Sequence, residues 1–219
     1  MNVAVVIPAF NEAYSITQTI RGLPFFVDQI IVIDDGSTDG TGDAVRAAKY
    51  PKTHLLRHPK NRGVGGAIIS GYRRALEQEI DVVVVVGGDG QMDPAEMASL
   101  LDPIAEGQAD YVKGERLSHP EVFTIMPFIR LFGTITLTVF TRWVTGYRQL
   151  SDAQCGYTAI TTKTLQRLPL EAIYTRYGFP NDLLVKLSRI QARVTEERVT
   201  PIYGFNTSKM KIHRVIIPL

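Results

Sequence analysis

Three short clusters in the first half of the chain carry side chains of types that could handle phosphates and cations. They are Pro8-Ala9-Phe10-Asn11-Glu12, Asp34-Asp35-Gly36-Ser37 and Gly87-Gly88-Asp89-Gly90-Gln91. In the third, a carboxylate and an amide stand two residues apart, at Asp89 and Gln91. At that spacing both reach one divalent cation. Mg²⁺ and Mn²⁺ want oxygen ligands and take few from protein when phosphates and water supply the rest. The surrounding glycines let a diphosphate come close to the backbone. Asp34 and Asp35 suit hydrogen bonds from a base and a ribose, or serve a helix start that Ser37 or Asp39 would cap. A fourth segment, residues 57–66 (RHPKNRGVGG), is basic, then glycine-rich, and opens a helix. N–H groups at a helix start favour phosphate, although the same composition fits a solvated turn. It is not a Walker loop, because no Gly-Lys-Ser/Thr follows.

The elements that would position these clusters are legible in the first half. Residues 3–7, 29–33 and 81–86 are short, continuous, β-branched runs, each ending in one of the clusters. Strands covered on both faces look like this. Helix-like stretches at 12–23, 38–50 and 65–78 alternate with them. Such alternation predicts an α/β fold with a mostly parallel sheet, and ligands bind beyond the carboxyl ends of such strands.

The second half reads differently. Over residues 122–141 (VFTIMPFIRLFGTITLTVFT) the only charge is Arg130. The run is as long as a membrane span, about 20 residues, but Pro127, Gly133 and five threonines make it a poor one. Thr134, Thr136 and Thr138 alternate with apolar residues in a strand-like way. The preferred expectation is helices lying in a membrane interface; the competing one is a buried helix pair. Residues 186–214 are basic and lead into Val215-Ile-Ile-Pro-Leu219, a pattern expected at the cytoplasmic boundary of a membrane helix. The chain is therefore expected to end just before transmembrane helices.

Composition narrows the classes. The chain has 219 residues, 45% hydrophobic and 21% charged, with a net charge of +2. Disorder and fibrous classes are excluded. A balance near neutrality speaks against a dedicated nucleic-acid binder. One cysteine excludes an internal disulfide and suggests a reducing compartment. Cys155 reads as a small packed residue, and the four histidines lack metal-ligand spacing.

Taken in order, the motifs resemble glycosyltransferase family 2. They are VVIPAFNE at 5–12, VIDDGSTDGT at 32–41, NRGVGGAI at 61–68, GGDGQMDP at 87–94, DYVKGER at 110–116 and DAQCGYTAI at 152–160. Gly-Gly-Asp-Gly also occurs in lipid and NAD kinases, but that likeness covers four residues only. The branch most similar is the polyprenol-phosphate sugar transferases. The resemblance implies an A-type, Rossmann-like nucleotide-sugar fold over one catalytic domain, 1–219. Residues 1–117 would bind the donor and 118–219 the acceptor and membrane. It implies that Pro8, Ala9, Asn11, Glu12 and Asp35 hold the nucleotide, with Asn61 and Gly66 in the phosphate loop. It further implies that Asp89 and Gln91 hold Mg²⁺ or Mn²⁺. The family's metal motif is Asp-x-Asp, and this sequence has Gly87 at the first position. One fewer carboxylate should weaken metal binding in the absence of the donor diphosphate.

The acceptor sets the chemistry. A sugar hydroxyl needs a general base, whereas a phosphate is already anionic near neutral pH. Two anions must then meet, and arginine suits phosphate through its fork. By the family pattern the acceptor arginine is Arg116, with Arg130 and Thr134 one helical turn apart. An arginine in an apolar run is a functional candidate, or else snorkels to headgroups. Asp152 is expected to position the acceptor or act as base, and Asp182 to orient the acceptor or cap a helix over 183–190. The resulting expectation is an inverting hexose transfer from a nucleotide-diphosphate sugar to a polyprenyl phosphate at the cytoplasmic membrane face. Two alternatives are transfer to a glycan hydroxyl and a membrane-associated nucleotide-binding module that has lost its chemistry. Donor identity and oligomeric state stay open.

Overall fold

The computed structural model describes residues 1–119, 122, 126–200 and 202; the side chain of Arg130 lies outside that description. Seven strands are seen: β1 (Val3–Ala9), β2 (Gln29–Asp34), β3 (Thr53–Arg57), β4 (Val82–Val85), β5 (Tyr111–Glu115), β6 (Thr158–Thr161) and β7 (Val194–Arg198). They form one sheet in the order β3-β2-β1-β4-β6-β5-β7. Only β6 runs against its neighbours; the other pairings are parallel. The expected α/β fold with a mostly parallel sheet is therefore present.

Helices cover both faces, as parallel strands require. On one face α1 (Ile16–Arg21), α2 (Thr41–Ala48) and α4 (Met97–Ala105) pack on Val3, Val5, Ile7, Ile30, Val32, Val82 and Val84. On the other, α3 (Val64–Leu76), α6 (Thr162–Arg167) and α7 (Phe179–Arg189) pack on Ala4, Val6, Ile31, Ile33, Val83 and Val85. Successive residues of one strand serve opposite cores, which is the period of two at work.

Four strands escape the search for apolar runs. β5 buries Lys113 and Glu115 between its apolar residues. β7, part of the segment read as a basic tail, pairs Glu196 with Lys113 and Glu197 with Gly114 in register. The polar residues of β5 are buried with partners, and hydrophobicity alone does not show partners.

The run 122–141 contributes most of a helix, α5 (Phe128–Thr145), rather than a strand. Its inner face is Leu131, Thr134, Thr138 and Thr141, at three- and four-residue spacing. Thr136, Thr141 and Thr145 donate their hydroxyls to the carbonyls of Phe132, Leu137 and Thr141, one turn back. Those bonds satisfy the threonines inside a helix. Nor is α5 a core helix: apart from Leu131 its large apolar side chains face outward, with Phe128 80% and Trp143 82% exposed. Among the described residues no helix is long and apolar enough to cross a membrane. Residues 203–219, where the chain was expected to approach a membrane helix, lie outside the described residues.

Candidate active site

The carboxyl ends of β1, β2 and β4 lie side by side, and their loops are cross-linked. Asp35 N donates to Ala9 O at 2.8 Å and Gly88 N to Pro8 O at 3.3 Å. Asn11 N donates to Ser37 Oγ at 2.9 Å, and Asn11 Oδ1 accepts from Thr38 N at 2.9 Å. Asn11 has φ 56°, a left-handed conformation that asparagine tolerates. Glu12 N donates to Thr41 Oγ1 at 2.8 Å, and Ser15 Oγ donates to Gly88 O at 2.8 Å. These bonds take residues 12–15 out of the expected helix, so α1 starts at Ile16.

Both acids of the pair after β2 are buried and engaged. Asp34 Oδ1 accepts from Ser37 N at 2.8 Å, and Arg57 Nε stands 3.3 Å from Asp34 Oδ2. Asp35 Oδ1 accepts from Arg62 N at 2.9 Å and meets His58 Nδ1 at 2.6 Å; Asp35 Oδ2 accepts from Gly63 N at 2.9 Å. Asp35 thus organises the 58–66 loop, and Asn61 Oδ1 closes the same turn on Gly63 N at 3.1 Å. The glycines of that loop serve packing. Gly63 has φ +89°, and a Cβ on Gly65 would lie 2.7 Å from the Phe179 ring. Gly66 N donates to Thr175 O at 2.9 Å. That N–H is committed within the protein, which narrows the expected phosphate cradle to its neighbours.

Asp89 is half-buried after β4, and its Oδ1 accepts from Gln91 N at 3.1 Å. A Cβ on Gly87 would lie 2.9 Å from that same oxygen. The space of the missing first acid is therefore occupied by the Asp89 carboxylate. Among the described residues no group of three His, Cys, Asp or Glu could hold a metal. One carboxylate and one amide fit a hard cation only when it brings its other oxygen ligands with it.

The other end of the site is built around Arg116, just beyond β5. Its Nε donates to Asp152 Oδ2 at 2.7 Å and its Nη2 to Asp152 Oδ1 at 3.1 Å. Asp152 is fully buried and also accepts from Gln154 N at 3.1 Å. Burial alone would push its carboxyl up; the charge and hydrogen bonds of Arg116, with Lys113 behind them, hold it below the ordinary value. Lys113 is fully buried, donates to Cys155 O, and has its ammonium pushed down by burial. Glu196 on β7 fixes the Asp152 loop, accepting from Asp152 N at 2.9 Å and Ser151 N at 2.6 Å. Cys155 is buried with its thiol pushed up, which is a packed residue and not a nucleophile. Arg116 and Gln91 line one small cavity, with Met92, Tyr157 and Thr200. The expected metal loop and the expected acceptor arginine are thereby brought together.

α5 is fastened to the same loop. Ala153 N donates to Thr138 Oγ1 at 3.0 Å, and Asn181 Oδ1 receives Thr141 Oγ1 at 3.2 Å and Gln154 Nε2 at 2.7 Å. Arg130 lies in the first turn of α5 and Thr134 is buried one turn on. Asp182 sits inside the first turn of α7, which begins at Phe179 and not at 183. It accepts from Tyr174 N at 2.8 Å and stands 3.5 Å from Lys186 Nζ, holding the 174–178 loop rather than capping a helix. Sequence reasoning missed Lys113, Glu196, His58 and Thr138. A lysine inside a strand motif was the one available signal; the other three act through partners more than ten residues away.

Comparison with known proteins shows the family and the fold. The sequence profile of "Glycosyl transferase family 2" matches residues 4–168. An undecaprenyl-phosphate mannosyltransferase from Micrococcus luteus is 34% identical over 205 residues, covering 91% of this chain and 83% of the relative. A UDP-N-acetylglucosamine–dolichyl-phosphate N-acetylglucosaminyltransferase from Methanococcus voltae is 29% identical over 213 residues, covering 90% and 84%. Glucosyl-3-phosphoglycerate synthase from Mycobacterium tuberculosis, solved with Mn²⁺, UDP and phosphoglyceric acid, superposes with a TM-score of 0.73 at 19% identity, covering 98% and 73%. The profile and the Micrococcus relative show that the chain belongs to glycosyl transferase family 2.

Proposed function

We propose that the protein transfers a hexose from a nucleotide-diphosphate sugar to a polyprenyl phosphate, with inversion, as one catalytic domain at a membrane surface. The observation that carries this reading is the Arg116–Asp152 pair. Asp152 holds the guanidinium by two of its N–H groups in a cavity shared with Gln91. A fork held in this way suits a phosphate, and less side-chain freedom is lost when it binds one. The relatives named for undecaprenyl-phosphate and dolichyl-phosphate chemistry support the same acceptor class.

An acceptor phosphate oxygen would attack the anomeric carbon from the side opposite the diphosphate. The bond to the nucleotide diphosphate breaks as the new C–O bond forms, and configuration inverts. No proton has to be removed from the attacking oxygen. That matches an Asp152 held below the ordinary carboxylate value and fully ion-paired, a poor proton acceptor. A hydroxyl acceptor would require a base that this pair does not supply. Asp89 and Gln91 would hold the divalent cation, whose chemistry is to offset charge on the donor diphosphate. Pro8, Ala9, Asn11, Glu12, Asp35 and Asn61 frame the donor side, and Arg116, Arg130 and Asp182 the acceptor side. The outward apolar face of α5 would rest in the lipid interface. The basic run at 186–214 favours the cytoplasmic face.

The test is incubation with radiolabelled UDP-glucose, GDP-mannose or UDP-N-acetylglucosamine, Mn²⁺ and a polyprenyl phosphate. Label in the organic phase is expected. Label in a product formed without lipid would replace this reading with hydroxyl transfer, and no product at all would replace it with a binding module.

A further inference from the structure

We propose that His58 is a positioning residue for the donor site, fixing the Asp35 carboxylate in the orientation that a nucleotide meets. This rests on the reading of Asp35 as a donor-site residue. Asp35 stands at the open carboxyl end of β2, only 2% exposed. A carboxylate has about four acceptor positions. Three are used, by Arg62 N, Gly63 N and the His58 ring. The two backbone donors come from one loop, while the side-chain donor comes from the end of β3. The fourth position, on Oδ2, is the one left to point toward a ligand.

His58 is itself held from three directions. Its backbone N donates to Asp34 O at 2.8 Å, and its Nδ1 meets Asp35 Oδ1 at 2.6 Å. Its Nε2 lies 2.9 Å from Ser70 Oγ on α3, which also reaches Gly66 O at 3.1 Å. In a histidine the proton on one ring nitrogen is set by what the other nitrogen bonds. The Ser70 hydroxyl both donates and accepts. A carboxylate can only accept, so Asp35 holds the ring proton on Nδ1, and the Ser70 hydroxyl then donates to Nε2. Without Ser70, Nε2 loses that bond and the ring is held from two directions instead of three. Arg57 does not substitute for His58, because its contact is with Asp34. The Ser70 and His58 side chains therefore link α3 to Asp35 at the end of β2.

The experiment measures UDP and GDP binding, each with Mn²⁺, by calorimetry on the full chain. It adds separate KM values for donor and acceptor and a thermal melt for each variant. Asparagine places its amide N–H near the Nδ1 position, and glutamine near Nε2. His58→Gln is expected to weaken nucleotide binding and raise the donor KM about tenfold or more, the size of one lost charge-assisted hydrogen bond. His58→Asn should stay within about threefold of wild type, since it keeps the bond to Asp35. Ser70→Ala, which leaves His58 in place, should weaken binding about two- to fivefold by removing one of the three anchors of the ring. Acceptor KM should not move in any of them. The proposal is overturned if His58→Gln binds nucleotide as wild type does. It is also overturned if Asn and Gln lose binding equally and in step with the melting temperature, the signature of a purely structural histidine. Wild-type protein that binds neither nucleotide overturns the donor-site reading, and this inference with it.

Discussion

The proposed donor side and the proposed acceptor side of the site solve different physical problems. On the donor side the groups are carboxylates, and backbone N–H groups hold most of them in place. Asp34 takes Ser37 N, and Asp35 takes Arg62 N and Gly63 N. The loops after β1, β2 and β4 are tied to one another by short bonds. On the acceptor side the group is a cation, held by acids distant in sequence: Arg116 by Asp152, and the Asp152 loop by Glu196 of β7. Beyond them, α5 turns threonines inward and aromatics outward. A soluble diphosphate donor needs a preorganised, oxygen-rich end. An anionic lipid needs fixed positive charge beside an apolar surface. The contrast implies that damage on the donor side acts on metal and nucleotide, and damage on the acceptor side acts on lipid.

The largest effect is expected at Asp89, where the loop offers a single carboxylate. Asp89→Ala should lower kcat by about a thousandfold or more, the scale of losing charge stabilisation at a reacting group. Manganese binding in the presence of UDP or GDP, read by electron spin resonance, should fall with it. Turnover within a few-fold of wild type would place the metal elsewhere and break the division between the two sides.

Next comes the Arg116–Asp152 pair. Arg116→Ala should lower kcat/KM for the lipid acceptor by about a hundredfold, leaving nucleotide affinity within about threefold. It also leaves a buried carboxylate without its main partner, which costs about 3–5 kcal/mol of stability, measurable by urea unfolding. Asp152→Asn should cost less, because a neutral amide tolerates burial better. The pH dependence follows from the depressed Asp152 carboxyl. Its folded value lies below its unfolded value, so the stabilisation is complete above the ordinary carboxylate range. It is lost as pH falls through that range toward the depressed value. Wild type should therefore lose stability below about pH 4, and Asp152→Asn should lose less over that window. Equal acid sensitivity in both would mean that the pair contributes nothing.

How much could be read from the sequence also divides along this line. The proposed donor side is local: each cluster lies at the carboxyl end of its strand, so period, composition and motif agree, and β1, β2 and β4 were legible within two residues. Their roles in detail were not, because Gly66 N–H goes to Thr175 and Asp35 to His58, partners that no local pattern reveals. The acceptor side is assembled from β5, β6, β7, α5 and α7. Its strands carry charged residues, Lys113 on β5 and Glu196 on β7, which pair in register. The alternation of Thr134, Thr136 and Thr138 suggested a strand, yet only the first and last face the protein. The hydroxyl of Thr136 bonds back to Phe132 O. A polar face turned inward inverts the usual amphipathic rule, and the rule fails here because the outer surface is the apolar one.

That outer surface supplies the third prediction. Phe140 and Trp143 pack with ring centroids 6.2 Å apart, and Phe132 lies on the same exposed side. Replacing Phe132, Phe140 and Trp143 together with serine should reduce binding to vesicles of anionic phospholipid at least about tenfold, given roughly 1.5–3 kcal/mol for each large apolar side chain fully buried. Transfer to a long-chain acceptor in those vesicles should fall in proportion, while transfer to a short, water-soluble prenyl phosphate stays near wild type. Loss on both acceptors alike would make α5 part of the catalytic scaffold and blur the comparison.

The smallest expected effect is also the finest probe of how tightly the donor side is locked. Restoring the family's first acid with Gly87→Asp places a Cβ 2.9 Å from Asp89 Oδ1, inside contact distance, so the Asp89 carboxylate must swing away. Two carboxylates then share the loop, and divalent-ion affinity in the absence of nucleotide should rise several-fold, as added ligand charge does. Turnover should nevertheless fall about two- to fivefold, because the ion is held with Asp89 displaced from its bond to Gln91 N. A rise in turnover would show that Asp89 reorients freely and that the donor loop is pliable. A fall in turnover with no gain in ion affinity would show that the new acid points away from the ion. Only the paired result, tighter ion and slower transfer, fits a loop shaped around one carboxylate.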